Sequence, residues 1–427
     1  MNPLSISWSR NSSSADKMLA ALCIFSVVNP LVAQAAYAIF PYPVAGLNIM
    51  QWFQGLCFLA MLATWTRLPR GCAELVRPFS RLLWAYVVAF GLLHLRLMAT
   101  GRVPADMVLA ERMVYFKMIF ALLLWHYASR LIQSCESARM LLRSLLFGAV
   151  ISAVWVLVCY FSGLGGHNYE TAEVRATAGS AGVSGKAIAG FLLPAVAGAI
   201  FLAVREGSSR WAAGAALLVV AVFVTFDRSA QVAFVAASSW TVFWWLWFAG
   251  PPRGSKTVLV FLGILLVLGG LYYARHGNEE LIARWTQDFD RGEIGSGRGT
   301  FYATTWNWFW NESSTMEFLL GMGYGNIHRL MHSASGIYVH THSDLFDMIL
   351  IGGVAGLVLY LFLFYTVAGL QRGLAPGSAE SATVGAILIS FGVMSLLTGL
   401  MAFPHTMYAF GAQCMCIRTF ATGAVKA

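Results

Sequence analysis

Charge is scarce in this sequence. Only 11% of its 427 residues are Asp, Glu, Lys or Arg, and 58% are hydrophobic, with a mean hydropathy of +0.68. Soluble domains carry roughly 25% charged residues, so a soluble fold of this length would lack the charge to cover its surface. The same composition excludes a disordered or collagen-like chain. Cysteine is also sparse. There are seven, with no Cys-x-x-Cys pair and no zinc-type Cys/His spacing, which excludes a disulfide scaffold or a zinc module. No period-2 strands of the outer-membrane barrel type occur, and no repeat of fixed period. What remains is an all-α integral membrane protein, a polytopic bundle of helices.

What is present is a series of apolar runs, each close to the ~20 residues that cross a hydrocarbon core. Twelve spans are expected, at 18–38, 43–64, 82–98, 107–127, 144–164, 186–204, 211–226, 230–250, 257–273, 343–366, 382–403 and 405–422. The run ending Val32-Ala33-Gln34-Ala35-Ala36 has some likeness to a signal-peptidase site but is expected to be retained as the first span. The chain thus divides into spans one to nine (1–273), one large loop (274–342) and spans ten to twelve (343–427). With both ends cytoplasmic, the inner segments hold 16 of the 28 basic residues, and the short outer loops hold four: Arg102, Arg175, Lys186 and Arg228. That asymmetry fixes the orientation and places the large loop outside. The net charge of +9 is then mostly a topology signal, and nucleic acid is excluded as a partner.

Polar residues at or near membrane depth are costly, so their placement is informative. They gather on the outer side. They comprise the loop 165–179 with Arg175, the break Asp227-Arg228-Ser229, and Gly295-Ser296-Gly297-Arg298-Gly299. A Trp-rich stretch follows through Trp306, Trp308 and Trp310, then Leu320-Gly321-Met322-Gly323-Tyr324-Gly325 and His340-Thr341-His342-Ser343-Asp344. Each has a plain reading beside the functional one. Arg228 can pair with Asp227 at a tight turn, and Arg298 can be a solvated loop residue. The three tryptophans can rest at the membrane interface or stack on sugars. Gly321-x-Gly-x-Gly has no preceding strand and no following Gly-Lys-Ser, so it is read as a turn where backbone passes close to something. Glu111, Arg112 and Lys117 can snorkel to the interface, or Arg112 can join the outer basic cluster.

His340 and His342 supply only two of the ligands a metal needs. They can be plain solvated loop residues, but a proton-accepting role suits them better. Thr341 and Asp344 have capping-box spacing, and an imidazole at a helix N-terminus is held in its neutral, accepting form. Asp344, Glu170 and Glu173 are weak candidates for a carboxylate nucleophile.

These residues carry a family pattern. His342-Ser343, nine residues, then Gly353-Val354-Ala355-Gly356 resembles the His-[Asn/Ser/Gln]-x9-Gly-x-x-Gly motif of bacterial O-antigen ligases. That superfamily includes O-antigen polymerases and O-linked protein oligosaccharyltransferases. Asp227-Arg228-Ser229, Ser296-Gly297-Arg298 with Trp306, and Leu320-Gly321-x-Gly are similar to its other blocks. Arg175 with Gly179 resembles its first arginine element, although the usual Asn is missing. The resemblance covers roughly 170–360.

The resemblance implies transfer of O-antigen polysaccharide from undecaprenyl diphosphate to lipid A–core, at the periplasmic face of the bacterial inner membrane. A polymerase or protein oligosaccharyltransferase, and more remotely a transporter, are the alternatives. The residues suit such chemistry. Guanidinium groups hold phosphate oxygens in a fork and stay charged in dry sites, so Arg228 and Arg298 are expected to stabilise the leaving diphosphate, with Arg175 and Arg112 helping to bind it. His342 is the expected base for the acceptor hydroxyl, with His340 and Asp344 binding substrate. The transfer is expected to need no cofactor and no metal and to invert the anomeric centre. Membrane lipids are the remaining partners.

Overall fold

The computed structural model describes residues 49–64, 73–103, 105–162, 166–167, 174–175, 185–225, 227–248, 298–336, 340–401 and 403–424. Expected spans one and nine, the early part of the large loop, Glu170 and Glu173 lie outside them. The described chain is helical apart from one two-residue ribbon. In order it runs α1 (Ile49–Thr64), α2 (Ala73–Ala99), α3 (Val108–Leu131), α4 (Cys135–Phe161), β1 (Gly166–His167), β2 (Val174–Arg175), α5 (Gly185–Glu206), α6 (Ser209–Val224) and α7 (Arg228–Phe248). After the gap come α8 (Arg298–Asn307), α9 (Thr315–Leu320), α10 (Tyr324–Ser335), α11 (Asp344–Ala368), α12 (Ala379–Leu397) and α13 (Pro404–Ala424). β1 and β2 pair antiparallel, with Gly166 opposite Arg175.

Five helical stretches are long and apolar enough to cross a membrane: Glu74–Ala99, Cys135–Phe161, Ala187–Glu206, Asp344–Ala368 and Ala379–Leu397. The remaining expected spans that fall on described residues coincide with α1, α3, α6, α7 and α13. On α2 the exposed Trp84, Val88, Leu92 and Leu95 recur at helical spacing, while Leu82, Tyr86, Phe90 and Leu97 are buried. Water would penalise such a bare apolar stripe, whereas lipid does not. α13 packs centrally against α3, α4, α5 and α12. Its backbone runs so close to α3 that the buried Trp125 ring occupies the space a side chain on Gly411 would need, and Trp125 donates its indole N–H to the Met407 carbonyl at 2.8 Å.

The described part of the expected large loop is helical. It folds as α8, extended by a π turn over Trp308–Glu312, then α9 and α10. A capping box starts α9. The Ser314 side chain accepts the Glu317 N–H, and the Glu317 carboxylate reaches back to the Ser314 N–H. The Ser-x-x-Glu signal stands in the sequence. Gly336 closes α10 in the left-handed conformation. These three helices pack on the start of α11 and build the site around it.

Candidate active site

The site is organised by a break in α11. Gly353 has φ 58° and ψ −141°, values almost closed to any residue with a side chain, and the helix kinks there. Met322 N–H bonds to the Leu350 carbonyl at 2.8 Å, joining the α9–α10 connection to α11 beside the kink. That connection presses backbone to backbone on the kink. A side chain on Gly353 would overlap the Phe318 carbonyl and lie 2.7 Å from Gly321 N, and one on Gly321 would overlap Ile351 and Gly352. A side chain on Gly356 would overlap the Met348 carbonyl. Gly321 and Gly353 therefore act as the contact points of one latch, and the turn read from Gly321-x-Gly-x-Gly is a docking strip. Arg96 of α2 caps it, donating to the carbonyls of Leu320 and Gly321 at 3.1 and 3.0 Å.

Glu111 is fully buried, with one carboxylate oxygen accepting the Gly325 N–H at the start of α10. It does not snorkel, because a buried backbone donor at a helix N-terminus offers the carboxylate a better partner than the interface does. Arg112 points the other way. It is exposed on α3, its guanidinium 3.9 Å from Met98 Sδ.

The latch fixes the turn before α11. The expected Thr341–Asp344 capping box does not form. The N-cap is Ser343, and no side chain caps it. Thr341 instead turns to Asp347, one helical turn inside α11. Asp347 Oδ1 accepts the Thr341 N–H at 3.0 Å and its hydroxyl at 2.7 Å, while Oδ2 lies 3.1 Å from His340 Nδ1. Asp344 is buried, and its carboxylate accepts from Ser395 Oγ (2.7 Å), Leu400 N (2.7 Å) and Met401 N (2.9 Å). These bonds commit it to holding the α12–α13 connection. His342, in the turn before α11, has φ 58°, the one positive φ outside glycine among the described residues. A residue held there stores about 1–3 kcal/mol of strain, a pattern that clusters at functional sites. The His340 and His342 rings lie 4.3 Å apart, centre to centre.

The second half of the site is the arginine cluster. Asp227 caps α7, accepting the Ala230 N–H at 2.8 Å, so Arg228 is the first helical residue and is half-buried. Arg298 opens α8 and reaches across to α7 and α12. Its Nη1 donates to Ser229 Oγ at 3.3 Å and to the Leu397 carbonyl. The structure thus brings Arg298 against the residue next to Arg228. It also ties both to the segment Leu396–Met401 that Asp344 grips from the other side. Tyr302 of α8 bridges the halves. It stacks on Phe346 at 4.4 Å, and its hydroxyl contacts the Leu396 carbonyl at 3.4 Å. Arg175 is placed on β2, opposite Gly166.

Three residues to which the motifs assign no role feel the charge of Asp347. Burial, then the charges of Asp347 and Glu111, push the Tyr324 phenol up to about 12. Burial raises Tyr302 as well, with Asp347 adding to the rise and Arg298 opposing it. Burial, then the neighbouring His340, lowers His328, against the pull of Asp347. Asp347 itself has a signal in the sequence, an acidic residue one turn into an otherwise apolar span. Tyr302, Tyr324 and His328 have none, since nothing local tells a helix which face meets a carboxylate from another helix.

Trp308 is buried, whereas Trp306 and Trp310 stand 54% and 55% exposed with their rings edge to face at 5.6 Å. Among the described residues no group of three or more His, Cys, Asp or Glu side chains could hold a metal ion. One Asp-x-Asp spacing of the kind that holds a metal-bound diphosphate does occur, Asp288-Phe289-Asp290, and it lies outside the described residues.

No curated protein matches the chain. Residues 213–361 match the model of the family described as O-antigen ligase, a stretch that contains Arg228, Arg298, Gly321, His340, His342, Asp347, Gly353 and Gly356. The arginine cluster, the histidine turn and the two glycines of the latch thus fall within the stretch that matches the O-antigen ligase family, the family their motifs resemble.

Proposed function

We propose that this protein transfers O-antigen polysaccharide from undecaprenyl diphosphate to a sugar hydroxyl of lipid A–core, at the periplasmic face of the inner membrane. The O-antigen ligase domain supports glycosyl transfer in a membrane in general. The finer reading rests on one observation. Arg298 meets Ser229, next to Arg228, at the same end of the bundle as the His340–His342 turn. In this reading the protein is a twelve-span bundle with cytoplasmic ends, and segment 274–342 covers the outer end.

The acceptor oxygen attacks the anomeric carbon as the bond from that carbon to the diphosphate oxygen breaks. The electron pair leaves with the diphosphate, whose growing charge Arg228 and Arg298 stabilise. His342 takes the acceptor's proton. Displacement in one step inverts the anomeric centre. Arg175, Arg112, His340 and Asp344 complete the substrate-binding set, with Arg112 and Asp344 the weakest members. Arg112 is exposed at Met98, and the Asp344 carboxylate is already engaged.

The test is the lipopolysaccharide profile of a deletion strain. Loss of all long chains from the core, with lipid-linked chains accumulating, supports the ligase. A core bearing a single repeat unit makes the protein a polymerase instead. Transfer by the purified protein is expected to survive EDTA; strict dependence on an added divalent ion would make His340 and His342 ligands and overturn the base assignment.

A further inference from the structure

Asp347 is an acidic residue in a helix that is otherwise buried and apolar from Met348 to Gly353. A carboxylate at that depth is costly unless it is used. Its oxygens are not spent on its own helix. Oδ1 takes both donors of Thr341, at 3.0 and 2.7 Å, and Oδ2 meets His340 Nδ1 at 3.1 Å. These contacts fix the two residues that lead into His342. The residues leading out are fixed separately, since Asp344 is anchored to Ser395, Leu400 and Met401.

His342 has the backbone conformation that most needs such bracing. A left-handed non-glycine residue persists only where its surroundings over-determine it. The Thr341 hydroxyl extends the brace. Its oxygen accepts the Ser343 N–H at 3.3 Å, so it links the residues on either side of His342. Around Asp347 stand His328 and Tyr324 from α10, Tyr302 from α8 with Arg298 beyond it, and Asp344 from α11 itself.

We propose that Asp347 is a positioning residue of the transfer site, which holds the His340-Thr341-His342 turn so that the His342 imidazole is aimed at the acceptor hydroxyl. The inference rests on the reading of His342 as the proton acceptor. Asp347 acts through Thr341 and His340, and misplacement of a reacting group by about 1 Å costs roughly 10²-fold in rate.

The experiment compares Asp347→Ala and Asp347→Asn with the full-length protein, using lipid-linked glycan as donor. Asp347→Ala is expected to lower kcat roughly 10²-fold with KM for the donor little changed. Asp347→Asn keeps an oxygen for Thr341 and is expected to fall between wild type and Ala. Amide hydrogen exchange, read without any turnover, is expected to accelerate at Thr341 and His342 in the Ala variant and to stay unchanged beyond Gly353. A wild-type kcat in Asp347→Ala would overturn the inference. So would unchanged exchange at Thr341, or a loss confined to KM. Faster exchange along all of α11 in both variants would make Asp347 a fold-holding residue and would also overturn it. If the wild-type protein itself transfers no glycan, the function reading fails, and the exchange measurement still decides whether Asp347 holds the turn.

Discussion

Replacing Gly353 with alanine should break the latch that joins α11 to the α9–α10 connection. Two costs combine. The backbone at φ 58°, ψ −141° is nearly closed to alanine, and the new methyl would overlap the Phe318 carbonyl and sit 2.7 Å from Gly321 N. Backbone strain of about 1–3 kcal/mol and overpacking of about 1–3 kcal/mol sum to about 2–6 kcal/mol. The overlapping atoms are backbone, so no side chain can swing aside. The cheaper escape is local. The 320–325 strip lifts off, the Met322 to Leu350 hydrogen bond breaks, and Arg96 loses its carbonyls. Transfer should therefore fall further than thermal stability does. Half-inactivation temperature in detergent and glycan transfer, measured side by side, give the comparison. Gly91→Ala is the control. Gly91 lies on α2 with open space around it, so alanine there should be neutral or stabilising by up to about 1 kcal/mol. Wild-type transfer and wild-type stability in Gly353→Ala would refute the latch.

Four further outcomes are expected. Arg298→Ala and Arg228→Ala should abolish transfer while folded protein is retained, and Lys at either position should rescue poorly because an ammonium lacks the guanidinium fork; full activity of the Lys and Ala variants together would reduce both residues to surface features. His342→Ala should lose about 10²–10⁴-fold in transfer and His340→Ala less, and the reverse order in a single-turnover assay would swap their roles. His328 has its folded-state pKa lowered from 6.5 by burial and by His340, so the unfolded chain binds the extra proton and stability falls as pH drops below about 6.5; His328→Asn should flatten that loss in pH-dependent melting curves, and an unchanged slope would contradict it. A cysteine at Ser313 should react with an impermeant thiol reagent on intact cells while Cys72 does not, and the opposite labelling would invert the proposed topology.

The candidate site was partly legible in the sequence. Arg228, Arg298, His342, Gly321 and Gly353 stand in recognisable blocks because each depends on a local pattern: a helix start, a fixed spacing, or a backbone shape that only glycine adopts. Asp344 was legible as a polar residue and misread as a cap, since capping-box spacing does not reveal that Ser395, Leu400 and Met401 converge on it from other helices. Glu111 was read as an interfacial charge for the same reason. Its partner, the Gly325 N–H, is 214 residues away. The helices α8 to α10 carry no span signal, because their mixed polarity lacks a long apolar run, although Ser314-x-x-Glu317 announces one of them.

Composition alone determined that this chain is a helical membrane protein. Apolar surface without charge has no stable place in water, and that holds whatever the packing. Spacing determined which arginines, histidines and glycines to watch. The tertiary structure decided how they act together. It set the Gly321 strip against the Gly353 kink, carried Arg298 to Ser229, and gave Thr341 to Asp347 instead of Asp344. Each of these is a contact between groups far apart in the chain or a choice between two nearby carboxylates. The choice is made by where the helices pack, which no local run of residues encodes.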